Sequence, residues 1–528
     1  MEIGQVIGAT TLRSFRFVIK EGMEEYVKRD EFVCVAESVT GRKILGVVKD
    51  IVVSNDLLPD EFSRDLRMSE LVFDEGEYPV PIVKILGIET SHGLTLPSHG
   101  IKPGTQVSLA SDEELNRILY QDPQTSAHIG HLSTRESIPV NLSLNDLVSR
   151  HASILAMTGA GKSYTAGVLI EELMKKKGSI IIFDPHGEYS RLELEGSKVK
   201  VYGEGYAHKI RIETSSITAG DYACLIPDLT GTQLDLLDEV LDLVARFYQK
   251  YDLDTILSTL SSIYDLKKNG KKKDSPEHEV FPGRHLKSIT KKVTLSTIGA
   301  LMRRLRRIQR MDVFSMTGTS ITDIAGPNQL TVINLSETEE RVSEVIVSII
   351  CRKLFSSRKK YVRDGEGVSS PVFIMIEEAH NFAPSASDDG TFISRPILRK
   401  IAREGRKFAV GLCVISQRPN KLDSDVLSQC NTQVIMKIVN PSDQDHIRAS
   451  VENVTEEIVN DLPSLGRGEA IIVGSAIRMS VPTKIRERTT HVGGQDIDVV
   501  GQWRRENDAV GHDYKGDAEK DNTENQHE

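Results

Sequence analysis

Ala156-Met157-Thr158-Gly159-Ala160-Gly161-Lys162-Ser163 decides the fold of this 528-residue chain. The stretch follows the apolar pair Ile154-Leu155 and runs into a helical pattern over residues 164–174. That is the strand–loop–helix context of a phosphate-binding P-loop. Glycines let successive backbone N–H groups turn inward around phosphate oxygens, and the helix N-terminus adds partial positive charge. Lys162 is placed to reach the β- and γ-phosphates, and the Ser163 hydroxyl to ligate Mg²⁺. The residues expected on a bound nucleotide are therefore Thr158, Gly159, Ala160, Gly161, Lys162, Ser163 and Tyr164. One departure stands out: Ala156 occupies the place of the first consensus glycine. The loop predicts binding of ATP or GTP.

Outward from this loop the chain reads as α/β. Apolar strand candidates at 153–157, 179–183, 330–335, 372–376, 409–416, 433–438 and 470–473 alternate with helices, the pattern of a parallel sheet. Between 218 and about 310 the strand signal disappears. Leu234, Leu237, Val240, Leu241 and Val244 recur there at helical spacing, which predicts an inserted helical subdomain. Short β-rich runs at 4–8, 32–37, 43–53 and 78–87 predict a small barrel or sandwich ahead of the core. The expected division is a β-barrel over 1–110, a linker and first part of the ATPase core over 111–217, and the insertion over 218–315. The second part of the core follows over 316–488, and 489–528 reads as a polar, disordered tail.

At this length two to four domains are expected. The composition, 39% hydrophobic and 27% charged, is that of a globular protein. No apolar run is long enough for a membrane span and no signal-peptide layout opens the chain, so a cytoplasmic location is expected. Cys34, Cys224, Cys351, Cys413 and Cys430 lack metal-ligand spacing and read as reduced core thiols. The net charge of −10 argues against a protein coated in basic surface, although an inner channel could still be basic.

The other half of a P-loop active site reads from Val372-Phe373-Ile374-Met375-Ile376-Glu377-Glu378-Ala379-His380. An apolar strand ends there in two carboxylates. Glu377 would hold Mg²⁺ and Glu378 would orient and polarise the attacking water. His380 reads equally as a site residue or a packed one. Gln417, at the tip of the next strand, is a candidate γ-phosphate sensor; its alternative is a polar turn residue before Pro419. Asp184 ends another strand at the carboxyl edge, where open α/β sheets bind ligands, and reads equally as a catalytic group or a turn cap. Arginines supplied by a neighbour accelerate phosphoryl transfer, which brings in Arg150, ahead of the P-loop strand, and Arg403 on the helix after Glu378.

These segments together resemble the HerA family of hexameric DNA translocases, within the FtsK/HerA group of RecA-like ATPases. The resemblance is carried by Val148-Ser149-Arg150-His151 leading into the P-loop, Asp184-Pro185-His186-Gly187-Glu188-Tyr189, Ile376-Glu377-Glu378-Ala379-His380, Ile415-Ser416-Gln417-Arg418-Pro419 and Leu465-Gly466-Arg467-Gly468-Glu469-Ala470. It implies a RecA-like core with a small N-terminal barrel, ATP and Mg²⁺ as cofactors, and a homohexamer threading double-stranded DNA through its channel. Glu378 matches the family's catalytic glutamate, and Arg150 and Arg403 look like its interface arginines. The resemblance further implies a partner nuclease of the NurA type in end resection, or a nuclease or sirtuin-like NADase effector in defence against phage. Two other readings stand beside this one: a nucleotide-switched scaffold that activates an effector enzyme, and a protein or conjugation translocase. For DNA contact, Arg303, Arg304, Arg306, Arg307 and Arg310, with Lys271–Lys273, form a basic run in the insertion, and residues 385–394 offer an alternative channel loop.

Overall fold

The computed structural model describes residues 1–55, 77–90, 93–226, 228–269, 283–385, 392–490 and 499–501. Its first sheet contains β1 (Glu2–Ile7), β2 (Ser14–Ile19), β3 (Phe32–Ala36), β4 (Lys43–Asn55), β5 (Glu77–Thr90), β6 (Gly93–Thr95) and β7 (Gln106–Leu109). The order β2-β1-β7-β3-β4-β5 closes through β2–β5 pairing into a six-stranded barrel, and β6 hairpins onto β5. Ile3, Phe15, Phe17, Val33, Ile44 and Val83 fill it. Three of these strands, β2, β6 and β7, escaped the sequence reading. β2 is fixed by its pairing to β1 and β5, and β7 lies beyond the Gly-rich punctuation at 99–104, held by pairing to β1 and β3 from far along the chain.

The main sheet draws on β8 (Ser126–Leu132), β9 (Arg135–Ser143), β10 (Ala152–Leu155), β11 (Ser179–Asp184) and β12 (Lys198–Tyr202). The two-residue strands β13 (Ile212–Glu213) and β14 (Phe314–Ser315) pair separately beside it. It continues with β15 (Gln329–Asn334), β16 (Val372–Ile376), β17 (Val410–Ser416), β18 (Thr432–Met436), β19 (Glu469–Gly474) and β20 (Val481–Ile485). The order is β12-β15-β11-β16-β17-β10-β18-β19-β20-β8-β9. From β12 to β18 every pairing is parallel; from β18 to β9 every pairing is antiparallel. Helices cover both faces of the parallel part, so β10, β11, β15, β16 and β17 are buried along their whole length and read as continuous apolar runs. This is a RecA-like P-loop core, with β17 standing between the P-loop strand β10 and the acidic strand β16.

The helical insertion comprises Ala219–Leu225, Gly231–Phe247, Leu253–Asn269, Gly283–Lys292 and Leu295–Gln309. Its inner stripe, including Leu237, Val240, Leu260, Ile263, Leu301 and Leu305, joins the apolar cluster on one sheet face. The expected tail needs one correction at its start. The Thr489 and Thr490 backbone N–H groups each donate to Glu171 Oε1 at 2.9 Å, so the ordered core runs past 488 onto the P-loop helix. Residues 491–498 and 502–528 lie outside the described residues, as do Lys271–Lys273 and 386–391 of the expected channel loop. Among the described residues no helix is long and apolar enough to cross a membrane.

Candidate nucleotide-binding site

Every parallel strand points its carboxyl end to the same edge, and the site forms there. Leu155 ends β10, and the loop turns at Gly159 (φ 80°) and Gly161 (φ 111°) into the helix Lys162–Lys175. Positive φ at both positions calls for glycine, which explains why the loop spends two of them here. A second segment braces the loop from behind: Gly468 N–H donates to the Ala160 carbonyl at 3.0 Å. The Leu465–Ala470 motif is thus a backrest for the phosphate cradle.

Lys162 emerges from this turn between two carboxylates. Its Nζ lies 2.8 Å from Glu377 Oε1 and also pairs with Glu378 Oε1. Glu377 and Glu378 are 1% and 3% exposed, so both carboxylates sit away from water beside a part-buried ammonium. Burial works against the ammonium, but the two carboxylates outweigh it and raise the Lys162 pKa. Burial raises the Glu377 pKa against the opposing pull of Lys162. Glu378 holds a left-handed backbone (φ 48°, ψ 49°), strain worth roughly 1–3 kcal/mol that is characteristic of functional positions. Its Oε2 is buried, accepts no hydrogen bond among the described residues, and lies 3.4 Å from His380 Nδ1. A buried carboxylate oxygen with an open lone pair is the group a general base needs.

The next strand supplies the other wall. Thr158 Oγ1 donates to Gln417 Oε1 at 2.6 Å, tying the P-loop to the tip of β17. His380 Nδ1 shares a 3.0 Å hydrogen bond with Ser416 Oγ, which holds the ring between Glu378 and the same tip. His380 is therefore a site-linked residue, and burial lowers its pKa. Nothing in the sequence distinguished it from a packed histidine, because the bridge exists only once β16 and β17 are neighbours.

Other expected residues fall elsewhere. Asp184, read as either a catalytic group or a turn cap, is the latter. Its Oδ1 accepts from the N–H groups of His186, Gly187 and Glu188 at 3.3, 2.8 and 3.1 Å, and its Oδ2 from Tyr189 at 2.9 Å. Four backbone donors converge on it, which is the arrangement of a turn cap. Tyr164 places its hydroxyl under the Arg488 backbone N–H at 2.7 Å, with the Arg488 guanidinium over its ring. Arg150 and Arg403 stand at the opposite, amino-terminal edge. Arg150 precedes β10 and pairs with Asp146 at 3.4 Å, while Arg403 is near the end of the helix Ser394–Glu404 and pairs with Asp425 at 2.8 Å. The four residues of β10, at about 3.3 Å each, put roughly 13 Å between that edge and the loop. Neither arginine is brought to Lys162 of its own chain. His151 fixes this edge: its buried ring, with pKa pushed down to about 4, accepts from Leu412 N–H at 3.0 Å.

The residue that sequence reasoning missed is Tyr189. Its hydroxyl donates to Glu377 Oε2 at 2.9 Å. The only signal for it was its place at the end of the Asp184–Tyr189 motif. In the insertion, Arg303, Arg306, Arg307 and Arg310 are exposed, whereas Arg304 turns to Gln233.

The donor set fits a hard divalent cation. A hydroxyl and a buried carboxylate offer oxygen ligands, and Mg²⁺ completes such sites with water and phosphate oxygens. Among the described residues no group of three His, Cys, Asp or Glu side chains forms a self-sufficient metal site.

Residues 127–354 match the family model described as the helicase HerA central domain. The chain is 32% identical over 542 residues to a probable DNA double-strand break repair helicase HerA of Methanocaldococcus jannaschii, spanning 95% of this chain and 99% of that one. It is 31% identical to a probable helicase of the same organism, spanning 96% and 94%. To the DNA double-strand break repair helicase HerA of Pyrococcus furiosus it is 30% identical, spanning 95% and 97%. With this identity sustained over nearly the full length of both chains, and the P-loop geometry beneath it, the chain belongs to the HerA helicase family.

Proposed function

We propose that this chain is a Mg²⁺-dependent ATPase that assembles into a six-membered ring around double-stranded DNA and moves along it. The reading is carried by one observation: Lys162 is held between Glu377 and Glu378 at one sheet edge, while Arg150 and Arg403 face outward at the other. A ring brings the amino edge of one subunit against the carboxyl edge of the next, and so supplies each site with the arginines its own chain withholds.

Phosphates entering the loop meet inward N–H groups and draw Lys162 off its carboxylates. Ser163 and Glu377 would hold Mg²⁺, which neutralises charge on the phosphate oxygens. Glu378, freed from Lys162, then accepts a proton from the attacking water through Oε2. Arg403 and Arg150 of the adjacent subunit stabilise the transferring phosphoryl group. The Thr158–Gln417 bond passes occupancy of the loop to the tip of β17.

The DNA double-strand break repair in the relatives' names suggests DNA as the substrate and repair as the setting. A nuclease docked on the N-terminal barrel is the partner this reading expects, with a defence effector as the alternative. ATP turnover measured with and without linear duplex DNA tests it, alongside the assembly mass by analytical ultracentrifugation. DNA-stimulated turnover by a hexamer is the expected result. Turnover indifferent to DNA but dependent on a partner enzyme would favour the nucleotide-switched scaffold.

A further inference from the structure

The Asp184–Tyr189 segment is more elaborate than a strand-to-helix connection needs. Four N–H groups converge on one carboxylate, and the turn passes through Gly187 at φ 75°. The last of those donors belongs to Tyr189, whose backbone is thereby fixed beside the strand it has just left. Its ring is 1% exposed in the apolar cluster on one sheet face, and its hydroxyl reaches Glu377 Oε2 at 2.9 Å. The phenol is the donor in this bond, because Glu377 offers only carboxylate oxygens as acceptors.

Glu377 therefore has two tethers of different kinds. Lys162 holds Oε1, and Tyr189 holds Oε2. The first is labile, because phosphate competes for the ammonium. The second is set in the core and anchored by Asp184. We propose that Tyr189 is a positioning residue for Glu377: its hydroxyl keeps the carboxylate aimed, with Oε1 toward the P-loop, while Lys162 moves between carboxylates and phosphate. Asp184 acts one step further back, as the clamp that delivers the tyrosine. This rests on the ATPase reading above, and it adds that the magnesium side of the site is pre-organised by the β11 loop and not by the P-loop alone.

Tyr189→Phe in the full chain removes only the hydroxyl. Supporting residues behind a metal ligand are typically worth 10–100-fold in affinity or activity. The variant should bind a fluorescent ADP analogue within about twofold of wild type in EDTA. It should lose about 10–100-fold of the tightening that Mg²⁺ adds to that binding, and kcat should fall by a similar factor with KM nearly unchanged. In a Glu377→Gln background the same substitution should add less than about twofold. Asp184→Asn, which loosens the clamp behind Tyr189 and leaves Glu377 and the P-loop unchanged, should give the same loss to a smaller degree and serves if Tyr189→Phe does not fold. A lowered Tm with Mg²⁺-dependent ADP binding and kcat both within twofold of wild type would overturn the proposal. So would a Tyr189→Phe effect undiminished in Glu377→Gln. If the wild type hydrolyses no ATP, the ATPase reading falls, while the ADP arms still decide on Tyr189.

Discussion

Glu378→Gln should move two observables in opposite directions. In the nucleotide-free site the Lys162 ammonium is shared by Glu377 and Glu378, and incoming phosphate must draw it from both. The substitution removes one negative partner but leaves an amide oxygen that can still accept. A hydrogen bond to a charged group contributes about 1.5–3 kcal/mol net. The larger penalty for orphaning a buried charge, about 3–5 kcal/mol, does not apply because Glu377 still balances Lys162. About half of that survives in the bond to the amide, so at 1.4 kcal/mol per tenfold nucleotide should bind about 3–10-fold tighter. Turnover should fall by about 10²–10⁴-fold, the usual contribution of a positioned general base. Binding is read by anisotropy of a labelled ATP analogue and chemistry by single-turnover hydrolysis. Wild-type turnover would refute the assignment of Glu378 as base. Unchanged or weaker binding would refute the competition for Lys162, even if turnover fell.

Arg403→Ala should leave folding almost untouched, since its exposed pair with Asp425 is worth about 0–1 kcal/mol. Turnover should nevertheless fall by about 10³–10⁵-fold. Mixing Arg403→Ala with Glu378→Gln subunits should recover part of it, because some interfaces then join an intact Glu378 to an intact Arg403. Failure to recover would place the arginine outside the neighbour's site. Asp184→Ala should act on stability first. Each N–H left buried without a partner costs about 1–3 kcal/mol, so the urea midpoint should drop clearly. A fall in turnover with no change in the midpoint would return Asp184 to the catalytic group.

The parts of the site legible in the sequence are those whose chemistry lies in consecutive residues. Gly159, Gly161, Lys162 and Ser163 declare themselves because a P-loop is one turn of chain. Glu377 and Glu378 do so because a fully buried parallel strand must be apolar until it reaches the edge. Contacts between strands were not legible. That β17 separates β10 from β16 decides that Thr158 meets Gln417 and that His380 meets Ser416, and strand order is a property of pairing across hundreds of residues. The same limit hid β2 and β7. It also left Asp184 undecided between catalysis and capping, since a carboxylate at a strand end looks the same in both roles until its donors are counted.

A side chain that serves its own site is most economically placed on the carboxyl edge, where every phosphate-binding element already converges. Arg150 and Arg403 stand instead at the amino edge, each held in solvent by a weak acidic partner, Asp146 or Asp425. Weak exposed pairs are poor stabilisers but good stores, because they hold a guanidinium in place and release it at little cost when a stronger anion arrives. His151 supports the same view: its neutral ring is locked into β17 and sets the backbone that carries Arg150. In the ring reading this is where coupling between subunits originates. Phosphate in one subunit recruits arginines from the next, and the strands that follow those arginines in the chain, β10 after Arg150 and β17 after Arg403, end in that subunit's own P-loop and sensor. On that reading, hydrolysis in one site would pull on the two strands that lead to its neighbour's P-loop and sensor, and that pull would couple the sites.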